Sequence, residues 1–117
     1  MISLVALAHD PGGAEALAPF LSALSSGSDL NVVTVYGGGR GRGVLDREGL
    51  EVQRVEDQGQ DFIEWTQYGH ELIQRHGADL VLTGTSFVPG PELGLLRAAR
   101  ILLVPAIAVL DQWTNYH

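Results

Sequence analysis

Hydrophobic positions recur along the chain in two alternating rhythms. Ile2–Ala8 is a near-continuous apolar run of strand length, and residues 31–36 are β-branched and aromatic. Residues 50–55, 80–83 and 106–110 complete a set of five short runs of strand character. Between them the spacing lengthens to that of a helix. Leu17, Leu21 and Leu24 fall on one side of residues 14–25, where Pro19 predicts a kink or a helix that begins at Pro19 itself. Residues 61–76 are the clearest helix: Phe62, Trp65, Gly69, Leu72, Ile73 and His76 share a face. Asp57, Asp61 and Glu64 suit the positive end of its dipole, and Gly77 supplies a stop. Pro91, after Gly90, opens another helix that runs to about Leu102. The stretch GGGRGRG, Gly37 to Gly43, predicts a loop, with a short helix over residues 44–48.

Apolar strands alternating with helices predict an α/β domain spanning residues 1–117. Right-handed crossovers then give a three-layer, doubly wound, Rossmann-like parallel sheet of about five strands in the order 3-2-1-4-5. In such a sheet ligands bind outside the carboxyl ends of the strands, where the strand order reverses. The chain's unusual residues gather in the segments that leave those ends: His9-Asp10-Pro11-Gly12-Gly13, Gly37 to Gly43, Glu56 to Gly59, Gly84-Thr85-Ser86 and Asp111-Gln112-Trp113. Connections at the opposite rim read as ordinary turns. That asymmetry predicts a site.

At its centre lies the segment after the first strand. Gly12 and Gly13 let the backbone turn and approach a ligand, while the free N–H groups of the following helix favour a negative or strongly polar group. His9 and Asp10 project over that spot as candidate acid–base groups; in the plainer alternative, Asp10 only caps the helix. Gly84, Thr85 and Ser86 offer N–H groups and hydroxyls to a hydroxyl-bearing ligand, or form an ordinary ST-turn. Gly38 and Arg40 suggest an anion-binding lid, or an exposed loop. Asp111 and Trp113 complete the candidate rim.

Charge and composition narrow the partners. The net charge is −7 and all seven bases are arginines, which argues against a nucleic-acid or anionic-membrane surface. Without cysteine there is no disulfide framework, zinc ribbon or thiol nucleophile. No apolar run approaches the roughly 20 residues that span a bilayer, and no signal sequence is evident, so a cytoplasmic location is expected. HDPGGAEAL does not fit the dinucleotide fingerprint, and GGGRGRG follows the second strand rather than the first. The absence of lysine excludes a P-loop ATPase, and TGTSF is not a nucleophile elbow. His70, Glu71 and His76 lack the spacing of a helical zinc site. No metal or cofactor is expected.

Three segments together, HDPGGAEAL, then TGTS after the fourth strand and IAVLDQWTNY from the fifth, resemble the N-terminal Rossmann-like lobe of GT-B-type glycosyltransferases and their sugar-nucleotide epimerase relatives. They are similar in particular to bacterial polysaccharide-biosynthesis proteins with a DxWxNY-like segment. The resemblance implies that Gly12 and Gly13 touch a sugar or acceptor through the backbone and that His9 or Asp10 is the base. It also implies that Thr85, Ser86, Asp111 and Trp113 line a cleft. A second lobe would hold most of the nucleotide sugar, and its link is expected at the point where this sequence stops. A second class of function stays open: a non-catalytic module whose fifth strand, with Trp113 and Tyr116, pairs with another subunit as a possible homodimer.

Overall fold

The computed structural model describes residues 2–9, 11–25, 30–47, 52–55, 61–84 and 90–109. Nine elements alternate: β1 (Ile2–Ala8), α1 (Pro11–Ser25), β2 (Leu30–Gly37), α2 (Gly39–Arg47), β3 (Val52–Arg54), α3 (Phe62–His76), β4 (Leu80–Gly84), α4 (Pro91–Ile101) and β5 (Ala106–Val109). The five strands form one sheet in the order β3-β2-β1-β4-β5, and every pairing is parallel. β1 is the centre, with Leu7 opposite both Tyr36 and Thr83. The predicted architecture and strand order are those observed.

Alternation along β1 builds two cores, because successive side chains point to opposite faces. Leu4, Ala6 and Ala8 join Leu17, Leu21, Leu45 and Leu82 beneath α1 and α2. Val5 and Leu7 join Tyr36, Trp65, Leu72, Val81 and Leu95 beneath α3 and α4. α3 opens on a capping box: Asp61 Oδ1 accepts the Glu64 N–H at 2.8 Å, and Glu64 Oε1 accepts the Asp61 N–H at 3.1 Å. It stops at Gly77, whose φ of 56° is the left-handed cap.

Two local expectations are corrected. α1 begins at Pro11, so Gly12 and Gly13 belong to its first turn rather than to a loop, and Pro19 lies within the helix. A proline there costs about 3 kcal/mol. Leu17 and Leu21, both fully buried, contribute about 1.5–3 kcal/mol each and outweigh it. The glycine run is also helical from Gly39 onward. The Arg42 N–H donates to the Gly38 carbonyl at 3.2 Å, and burial of Val44 and Leu45 against α1 offsets about 1 kcal/mol for each helical glycine. Tertiary contact overrides local preference here. Among the described residues, no helix is long and apolar enough to cross a membrane.

Candidate functional site

Because all five strands run the same way, their carboxyl ends deliver His9, Gly38, Val55 and Gly84 to one rim. The exits of the first three strands are tied together. The Gly38 N–H donates to the Ala8 carbonyl at 3.3 Å, and the Val55 N–H donates to the Gly37 carbonyl at 3.0 Å. The His9 ring lies directly over Gly38. A Cβ at position 38 would come within 2.8 Å of His9 Cδ2 and 3.0 Å of Val55 Cβ, so glycine is what leaves room for the imidazole.

On its other side His9 is held from α4. Its backbone N–H donates to Glu92 Oε2 at 2.9 Å. Glu92 is only 3% exposed, and burying a carboxylate is costly unless hydrogen bonds and local dipoles compensate. Here the compensation comes from the His9 N–H and from the positive end of α4, of which Glu92 is the second residue. Thr83, one residue before Gly84, is fully buried, and its hydroxyl has no hydrogen-bond partner among the described residues. The rim thus combines a half-buried imidazole, a buried carboxylate and a buried hydroxyl near the centre of the sheet. Of the three, the imidazole is the partly exposed one, and a histidine ring is a side chain that can exchange a proton with a polar ligand.

The expected site residues divide three ways. His9 and Gly38 are in direct contact, and Gly84 ends β4 as a buried residue in register with Val109. Gly12 and Gly13 lie in the first turn of α1, where helix geometry leaves backbone N–H groups without intrahelical acceptors. Arg40 lies in the first turn of α2, so a lid made of an irregular loop is not what the chain forms there. Asp10, Thr85, Ser86, Asp111 and Trp113 lie outside the described residues. Glu92 and Thr83 were not anticipated. An acid just after a helix-opening proline reads as a surface partner for the dipole, and nothing in sequence spacing marks it as turned inward.

The remaining histidine of interest belongs to the other rim. Tyr36 Oη and His76 Nε2 are 2.6 Å apart, and the Ser3 hydroxyl donates to the His76 carbonyl at 3.1 Å. Burial, and then the neighbouring Arg75 charge, hold the His76 imidazole below its ordinary value of 6.5. A groove of about 490 Å³ also runs along the outer side of α4, lined by Phe62, Leu93, Leu96, Arg97, Arg100 and Ile101. Arg97 sits over the Phe62 ring, 5.3 Å from its centroid. Among the residues that line the groove there is no carboxylate, imidazole or hydroxyl.

These features define a Rossmann-like α/β lobe with a polar centre at its switch point. Solved structures share that fold. MnaA of S. aureus, crystallised with UDP, matches over 93% of this chain with a TM-score of 0.77 and 19% identity. UDP-GlcNAc 2-epimerase from Neisseria meningitidis, bound to UDP-GlcNAc, matches over 92% with a TM-score of 0.73 and 14% identity. A glycosyltransferase from Rickettsia africae matches over 91% with a TM-score of 0.56 and 14% identity. The likeness at these identities is one of fold. The chain spans 31%, 31% and 29% of those three proteins. No protein-family model matches it, and no curated protein matches it by sequence.

Proposed function

We propose that this chain is the sugar- or acceptor-binding N-terminal lobe of a two-lobed, GT-B-like cytoplasmic enzyme that processes nucleotide sugars. Support comes from the fold shared with structures that hold UDP and UDP-GlcNAc. The observation that carries the reading is His9, seated at the switch point between Gly38 and Glu92. In this reading His9, or Asp10 beside it, accepts the proton of a sugar hydroxyl as that oxygen bonds to the anomeric carbon of the donor. The bond to the nucleoside diphosphate breaks, and its electron pair leaves with the diphosphate. A second lobe holds most of the donor, while Gly12, Gly13, Gly84, Thr85, Ser86, Asp111 and Trp113 line this side of the cleft.

The test is His9→Ala in the two-lobed protein, with turnover of UDP-GlcNAc as the readout. A loss on the order of 10²–10⁴ in kcat is expected of a general base; an unchanged kcat removes that role. A second reading, an assembly module, is favoured by β5, where Ala106, Ile107 and Ala108 are exposed at the sheet edge. The two readings part on UDP-GlcNAc: at a hundredfold excess over Kd it raises the unfolding free energy of a binding lobe by about 2.7 kcal/mol, and leaves a pure assembly module unchanged.

A further inference from the structure

Glu92 is an anomaly that the fold does not need. An acid in the first helical turn complements the dipole equally well from the surface. Burying a carboxylate carries a desolvation cost that an apolar residue of similar volume does not. Yet Glu92 is turned inward to 3% exposure, and its carboxylate bridges α4 to the exit of β1, 83 residues apart in sequence. The support beneath it is stiff. Two residues on, a Cβ at Gly94 would lie 2.5 Å from the Trp65 carbonyl carbon and oxygen, so the start of α4 is seated directly on the backbone of α3. On the Gly38 side the ring lies so close that an added Cβ there would come within 2.8 Å of His9 Cδ2.

We propose that Glu92 is a positioning residue for His9: by accepting its backbone N–H, it fixes the exit of β1 and therefore the direction in which the imidazole meets a ligand. The close approach of the ring to Gly38 sets one side of the seat, and the hydrogen bond sets the other. The value of this for catalysis rests on the function proposed above, but the positioning does not.

Glu92→Leu and Glu92→Gln separate positioning from stability. Leucine fills the space without an acceptor, whereas glutamine keeps an acceptor oxygen and loses the charge. Amide exchange at His9, followed by NMR, and titration with UDP-GlcNAc are the two readouts. Glu92→Leu is expected to keep the parental melting temperature within a few degrees. In it the His9 amide exchanges about tenfold faster and UDP-GlcNAc binds about tenfold more weakly, the size of one lost hydrogen bond. Glu92→Gln is expected to restore both. Parental exchange in Glu92→Leu, or no restoration by glutamine, overturns the proposal. If the parent protein does not bind UDP-GlcNAc, the functional reading fails, and the exchange of the His9 amide still decides the positioning.

Discussion

Tyr36 and His76 form a short hydrogen bond at the rim opposite the proposed site, and its protonation logic is one-sided. A neutral imidazole shares this hydrogen bond with the phenol, while burial and then Arg75 oppose the imidazolium. The unfolded chain therefore takes up a proton on this side chain at higher pH than the folded protein does. Stability from His76 is complete above pH 6.5 and is lost as pH falls through the lower, folded value. Melting curves between about pH 5 and 8 test this in the range where histidine titrates. The parental midpoint should fall more steeply below 6.5 than that of His76→Gln, which keeps an acceptor for Tyr36 but cannot titrate; parallel curves would rule the mechanism out.

Glycine has opposite meanings in two of the helices. At Gly43 in α2 an added Cβ meets nothing within 4 Å, so Gly43→Ala removes backbone freedom from the unfolded chain without a clash. A gain of about 0.5–1 kcal/mol is expected. At Gly94 in α4 the same methyl would sit 2.5 Å from the Trp65 backbone, and Gly69 makes the reciprocal approach, with an added Cβ 2.7 Å from Leu95 Cα. Gly94→Ala must push the two helices apart, at about 1–3 kcal/mol or more. Urea denaturation of both variants checks the pair, and the same sign for both would contradict the geometry. The α3 helix was legible from its periodicity and caps because these are local. The first half of α2 was not, because three glycines and two arginines look like a loop until Val44 and Leu45, in the expected short helix, find their places on α1.

Across the whole sheet the two edges are built differently. β3 is short and presents exposed Gln53 and Arg54, an edge blunted by polar side chains. β5 reads AIAV, and Ile107 is 50% exposed, although parallel strands are ordinarily covered on both faces. Ile101 and Leu103 are exposed nearby in the chain, at 60% and 88%. Left uncovered, this edge is expected to self-associate. Sedimentation of the parent protein over a concentration series should show a rising average mass, and Ile107→Lys should hold the protein monomeric. A parent that stays monomeric at every concentration counts against β5 as an adhesive edge.

The order of the strands could be read from the chain because it follows from short-range rules. Apolar runs buried on both faces require parallel pairing, intervening helices require right-handed crossovers, and the two together leave few arrangements. The common rim for His9, Gly38 and Gly84 follows from the same rules, since parallel strands share one exit. The partners that meet at that rim could not be read. Glu92 reaches His9, and Gly38 yields its space to the imidazole, through contacts between segments far apart in sequence. A periodicity records which face of an element is buried, but not which atom of another element lies against it. That is settled only when the layers pack.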